Sequence, residues 1–125
     1  IVLCGGLTGV MEAVARGVRA GGGLTIGILP GNDPADANRF IDIPLATGMG
    51  EMRNALIVRA AGAVIAIGGS YGTLSEIALA LRIGTPVVGL HDRFVGAVEV
   101  PRASDAAAAV GLALAQADRR RDPAA

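Results

Sequence analysis

The chain contains no lysine and no tryptophan. All 11 basic residues are arginine, and 11 acidic residues balance them to a formal net charge of zero. Without lysine there can be no lysine Schiff base, which excludes pyridoxal-phosphate decarboxylase chemistry, and no Walker-type phosphate lysine. The balanced charge points to neither a nucleic-acid partner nor an anionic membrane. One tyrosine and two phenylalanines leave little for stacking nucleobases, so the core has to be built from Ala, Val, Ile and Leu. A single cysteine cannot close an intrachain disulfide, which fits a reducing, cytoplasmic setting. One cysteine and one histidine also fall short of a His/Cys zinc site, so no metal is expected. The longest apolar runs, over 60–69 and 106–115, are about half of a membrane helix. The chain opens directly on strand-like Ile1-Val2-Leu3, without the basic n-region of a signal peptide.

What is present is apolar. Hydrophobic residues make up 52% of 125, and mean hydropathy is +0.55. That composition predicts one folded domain over 1–121 with 122–125 as a frayed tail. Short apolar runs alternate with helical stretches. Ile1–Cys4, Leu24–Leu29, Phe40–Leu45, Ala63–Ile67 and Pro86–Leu90 read as strands, with Pro44 marking an edge. A loop over His91–Val100 has room for a further short strand at Ala97–Val100. Helices are expected over Thr8–Ala20, over Gly50–Ala61 with Gly62 as its C′ residue, and from about Thr73 to Arg82. A last one is capped by Ser104 and runs to Arg121. Arg119, Arg120 and Arg121 suit the negative end of that helix and read as solvated. Strands apolar on both faces, each followed by a helix, predict an α/β, doubly wound parallel sheet covered on both faces. Ligands of such sheets bind at the loops beyond the carboxyl ends of the strands.

Two of those loops share one pattern. Gly5-Gly6-Leu7-Thr8-Gly9 and Gly68-Gly69-Ser70-Tyr71-Gly72 both read G-G-x-x-G, and each follows a strand and opens a helix. A carboxylate follows each within about the first turn, Glu12 and Glu76. Glycine lets a backbone approach a ligand closely, and the free N–H groups of a helix start attract anions. Two such ends at one sheet edge would form a phosphate-binding cleft; the plainer alternative is that the glycines only make tight turns. Neither loop is the dinucleotide fingerprint G-x-G-x-x-G. Glu76 stands three residues after Thr73, the spacing of a capping box, so it either closes the helix or faces a ribose phosphate. Arg53 is expected in the first turn of its helix, where a cation opposes the dipole unless an anion is near; otherwise it curls toward Glu51. Cys4 reads as a small core residue or a pocket thiol. His91, beside Asp92 at the ligand edge, is exposed or catalytic, and Tyr71 covers either a ligand or the helix end.

Gly69-Ser70-Tyr71-Gly72-Thr73-Leu74-Ser75-Glu76 resembles the P-G-G-x-G-T-x-x-E signature of the LOG, or lysine-decarboxylase-like, family of phosphoribohydrolases. Gly5-Gly6-Leu7-Thr8-Gly9-Val10-Met11 is similar to that family's G-G-G-x-x-G-L-M loop, and Arg53 takes the place of the arginine in its M-H-x-R-K motif. The resemblance spans about residues 1–90 and implies a Rossmann-like fold. There are departures: the signature's proline is Gly68, its second glycine Ser70, and the His and Lys beside the arginine are absent from Gly50-Glu51-Met52-Arg53-Asn54. These features are closer to the molybdenum-cofactor carrier-like branch. Family members begin with one more βα unit, so the resemblance implies that the chain starts at what would be their second strand.

The resemblance implies binding of a phosphate-bearing nucleotide or pterin cofactor, a nucleoside monophosphate or molybdopterin-type ligand. The alternative is LOG-type hydrolysis of the N-glycosidic bond of a nucleoside 5′-monophosphate. The candidate ligand residues are Gly5, Gly6, Thr8 and Gly9, then Arg53 and Asn54, then Gly69, Ser70, Tyr71, Gly72, Thr73 and Glu76. Glu76 and Arg53 are catalytic only if the chain is an enzyme. Single-stranded DNA binding, found elsewhere in the superfold, is disfavoured by the neutral charge and few aromatics. The helix carrying Leu74, Ile77, Ala78, Leu79, Ala80 and Leu81 is apolar nearly all round, which predicts a homodimer or higher homo-oligomer. Family members are dimers through this region.

Overall fold

The computed structural model describes residues 1–122; of the expected frayed tail, 123–125 lie outside the described residues. The chain divides into two compact units, one over residues 1–57 and one from Val58 onward. In chain order the first unit holds β1 (Val2–Cys4), α1 (Val10–Ala20), β2 (Thr25–Leu29) and β3 (Ile43–Ala46). Helix α2 (Asn54–Ala60) follows, and then β4 (Val64–Ile67), α3 (Tyr71–Ile83), β5 (Val87–Leu90), β6 (Arg102–Ala103) and α4 (Ala106–Arg121). The fold is of the α/β doubly wound class, with parallel sheets and helices packed against them.

In the first unit the sheet runs β1-β2-β3, all parallel, with Cys4 beside Gly27 and Leu29 beside Ala46. Pro44, which has no N–H to donate, sits on β3 at the end of this sheet, where its loss is tolerated. Where the strands start, Asp42 accepts from the Thr25 N–H at 2.9 Å and the Thr25 hydroxyl at 3.1 Å, with Arg19 3.3 Å away. The Thr25 bonds, aided by Arg19, hold the Asp42 carboxyl below its ordinary range.

The second unit shows why its strands are apolar on both faces. The sheet order is β4-β5-β6, again parallel, with Val64 beside Val87 and Ile67 beside Leu90. Val64, Ala66 and Val87 share one face and pack with Ile77 and Ala80 of α3 and with Val58. Val88 and Leu90 take the other face and pack with Ala109 and Ala113 of α4. Alternate residues thus enter two cores, and alanines on the helices let backbones come close where aromatics are scarce. Gly84 ends α3 in a left-handed conformation at φ 79°, as its glycine-proline signal predicts.

Several boundaries differ from the sequence reading. Helix α1 begins at Val10, not Thr8, because Gly9 is its N-cap. Strand β3 is Ile43–Ala46 rather than Phe40–Leu45: the Asn38 side chain takes the Phe40 N–H into a turn, and Asp42 is held by Thr25. The helix expected from Gly50 starts as a 3-10 turn, Gly50–Arg53, before α2. Gly62 is not a left-handed C′ residue; a methyl there would sit 3.0 Å from Ala117 Cβ, so glycine serves close approach to α4. Ala97–Val100 is not a strand, since the Ala97 and Val98 amides both turn back to Phe94 O. The short strand follows Pro101 instead, Arg102–Ala103 beside Gly89 and Leu90. Asp105, not Ser104, caps α4, its carboxylate accepting from the Ala108 N–H at 2.8 Å. Arg120 is not simply solvated: Nη1 donates to Ala61 O at 3.0 Å and to the Thr85 hydroxyl at 2.8 Å.

Candidate functional site

The first loop leaves β1 through buried Gly5 and Gly6. Gly6 has φ 78°, and a methyl on it would strike Leu29 Cδ2 at 2.6 Å, so both conformation and space demand glycine. The carbonyls of Gly6 and Leu7 accept from Asn38, the latter from Nδ2 at 2.7 Å, which fastens the loop to the segment before β3. Thr8 is exposed, and Gly9, at φ 73°, precedes α1 without any side-chain cap. The opening amides of α1 therefore have no N-cap side chain to accept from them, with Glu12 in the first turn.

Arg53 reaches this loop. It is the last residue of the 3-10 turn, so it stands immediately before α2 rather than inside its first turn. Its side chain does not curl toward Glu51. Nε donates to Ile28 O at 2.9 Å, Nη1 donates to the Asn54 side-chain oxygen, and a methyl on Gly5 would lie 2.6 Å from Nη2. Gly5 has no left-handed φ; the guanidinium and Met11 Sδ, 2.7 Å from such a methyl, fill the space beside it. Asn54 is buried, 2% exposed, and steadies that guanidinium. The turn carrying Arg53 is tied to the loop after β2 by Thr47 Oγ1 on Leu29 O at 2.6 Å and the Gly50 N–H on Pro30 O at 2.9 Å.

The second loop is built differently. Ser70 is the N-cap of α3 and its hydroxyl accepts from the Thr73 N–H at 3.1 Å, so the helix starts at Tyr71, two residues before the expected position. The capping box of Thr73 with Glu76 does not exist, because Ser70 has taken that role. Glu76 lies half-buried in the second turn, and no acidic residue occupies the first. It is not the counterpart of Glu12. Gly72 lies inside the helix, whereas Gly9 stands before α1. The Thr73 N–H, a predicted anion contact, is already held by Ser70. Tyr71 is 89% exposed and covers no part of the helix end.

Beyond β5, His91 is exposed with a left-handed φ of 49°. It does not pair with Asp92, which is 8% exposed and accepts from Arg102 Nε and Nη2, both at 3.0 Å, and from the Phe94 N–H at 3.1 Å. The Arg102 guanidinium outweighs burial and holds the Asp92 carboxyl below its usual range. Arg93, next in sequence, donates its N–H to Gly68 O at 3.1 Å and lays its stem on Gly69. Cys4 ends β1, half-buried beside the first loop. Among the described residues, no three of His, Cys, Asp and Glu gather to hold a metal ion, and no helix is long and apolar enough to cross a membrane.

Sequence reasoning missed Asn38, Thr47 and Arg93. Asn38 sits in a glycine-, proline- and asparagine-rich loop and caps its own turn, a local signal that could have marked it. For Arg93 nothing local points to Gly69, 24 positions earlier in the chain.

The model of the SLOG cluster4 family, a LOG-like group, matches residues 1–115. The chain belongs to that family. It is 49% identical over 90 residues to an uncharacterised protein of Archaeoglobus fulgidus, covering 72% of this chain and 59% of that protein. A probable cytokinin riboside 5′-monophosphate phosphoribohydrolase of Oryza sativa subsp. japonica is 33% identical over 102 residues, 80% of this chain and 44% of the rice protein. The chain thus spans about half the length of these curated relatives. The molybdenum cofactor binding protein of Rippkaea orientalis superposes with a TM-score of 0.82 at 36% identity, covering 90% of this chain and 75% of that one. The molybdenum cofactor carrier protein of Chlamydomonas reinhardtii gives 0.79 at 32%, covering 91% and 76%. Within the LOG-like family the chain is close to the molybdenum cofactor carrier branch.

Proposed function

We propose that this protein binds a phosphate-bearing nucleotide or pterin cofactor through its glycine-rich loops, in the manner of a molybdenum cofactor carrier. The observation that carries the reading is Arg53: its Nε and Nη1 are spent on Ile28 O and Asn54, which fixes the guanidinium over Gly5 beside the uncapped start of α1. A cation pre-set beside uncapped amides suits an anionic group, because little side-chain entropy remains to be lost on binding. Likeness to cofactor-binding proteins at above 30% identity supports the same choice. Calorimetric titration with AMP and with molybdenum cofactor tests it. One of them binds, and Arg53→Ala weakens that binding about tenfold or more, the worth of a charge-assisted hydrogen bond. Binding of neither would refute the reading.

A second reading has its own observation. Glu76 stands half-buried in the second turn of α3, at the place of the catalytic glutamate in the phosphoribohydrolase signature it resembles, where it would stabilise a developing oxocarbenium ion or activate water. Release of adenine from AMP by the wild type, abolished in Glu76→Gln, would favour it over simple binding.

The same proposal includes a homodimer. Leu81 of α3 is 45% exposed and Ala78 is exposed beside it on the helix, an apolar strip that a second copy would cover. Light scattering at high concentration should give twice the chain mass; a monomer would count against it.

A further inference from the structure

Gly69 is not glycine for the sake of its backbone. Its φ is not left-handed, and it precedes the N-cap rather than sitting in a strained turn. What excludes a side chain there is Arg93: a methyl on Gly69 would overlap Cβ, Cγ and Cδ of that residue. At Gly5 a methyl would meet the tip of Arg53, Nη2 at 2.6 Å, and also Met11 Sδ at 2.7 Å. Each glycine-rich loop thus has an arginine laid across one of its glycines.

The turn that delivers Arg93 is over-determined. His91 is held left-handed, at φ 49°, a conformation unfavourable for any residue but glycine. Asp92 is buried and locked by two bonds from Arg102 and one from the Phe94 N–H. The Arg93 N–H is then fixed on Gly68 O. Ion pairs among the described residues join Arg19 to Asp42 and Arg102 to Asp92, and neither uses Arg93. The residue is exposed overall, with its stem held and its charge not spent on a carboxylate. Backbone strain that positions a cation in this way is typical of ligand sites rather than of packing.

We propose that Arg93 is an anion-binding residue of the second glycine-rich loop, its guanidinium taking an anionic oxygen of a ligand at that loop. This rests on the reading above that the glycine-rich loops bind a phosphate-bearing ligand. It also assigns a purpose to Gly69, which is to seat the arginine stem.

The experiment is a titration of the full chain and its variants with AMP and with molybdenum cofactor. Arg93→Met keeps the stem over Gly69 and removes the charge; Arg93→Lys keeps both. Arg93→Met should bind about tenfold or more weakly, with unchanged melting temperature, and Arg93→Lys should recover part of the loss. The penalty should shrink as salt is raised. Gly69→Ala should weaken binding by displacing the stem, and combining it with Arg93→Met should add little further loss. If the wild type and Arg93→Met bind alike while Arg53→Ala is weakened, Arg93 only packs on the loop and the proposal is overturned with the binding reading intact. If the wild type binds neither probe, both fall together.

Discussion

At the first glycine-rich loop the helix start has no side-chain cap, because its N-cap is Gly9. At the second the start is closed by Ser70, whose hydroxyl holds the Thr73 N–H. The same five-letter pattern therefore serves two different devices, and the last glycine of each shows how. Gly9 needs its positive φ of 73° to turn the chain into α1. Gly72 is an ordinary helical residue of α3. A motif fixes neither where the helix begins nor which amides remain free; the residue that happens to cap it decides both. What the loops share is an arginine lying over a glycine, Arg53 on Gly5 and Arg93 on Gly69.

Substitutions can break this comparison, and the largest effect should come at Gly6. An alanine there meets both a left-handed φ and the Leu29 side chain, so thermal or urea unfolding should show a loss of about 3 kcal/mol. Next comes the support of the second loop. Asp92→Asn should cost about 2 kcal/mol, less than a fully buried pair because Arg102 is partly exposed. The sign with pH follows from the lowered Asp92 pKa: its contribution is full above the ordinary carboxylate range and is lost as pH falls through its depressed value. Melting temperature should therefore drop less steeply below about pH 4 in the variant than in the wild type.

The sharpest contrast is between the paired glycines. Gly9→Ala should destabilise by about 2 kcal/mol through its backbone alone, since φ 73° with ψ −130° suits only glycine and open space surrounds it. Gly72→Ala should instead stabilise by up to about 1 kcal/mol, because alanine is the better helix former and the nearest atom to its methyl, Ser70 Oγ, is at 3.5 Å. Opposite signs at equivalent letters of one motif would establish that the loops differ; equal signs would contradict it. Ser70→Ala should cost somewhat under 1 kcal/mol, the usual worth of an exposed cap, while Thr8→Ala at the uncapped loop should cost nothing measurable.

Much of the fold was legible because burial on two faces leaves a strong mark. Val64–Ile67 and Val87–Leu90 are apolar without interruption, and each feeds two cores. Gly84 and Pro44 announced a helix end and a sheet end through properties of single residues. The failures share a cause, which is that distant or competing partners settle a boundary. Strand β3 starts late because Asp42 bonds to Thr25, 17 residues earlier. Ser70 and Thr73 are both good caps three residues apart, and letters alone do not choose between them. Ser104 and Asp105 posed the same choice. Of the candidate site, Arg53 beside the first loop was legible through its awkward place near a helix start. Arg93 was not, because only the turn built by His91 and Asp92 brings it to Gly69.

In the proposed ligand reading the anionic group sits at the start of α1, with Arg53 over Gly5, and not at the Ser70-capped amide. Amide chemical shifts in a two-dimensional ¹⁵N spectrum, followed while AMP is titrated in, test this most directly. The predicted result is saturable movement of the Val10, Met11 and Glu12 amides, lost in Arg53→Ala, with Thr73 nearly still. Saturable movement of Thr73 with Val10, Met11 and Glu12 unmoved would contradict it.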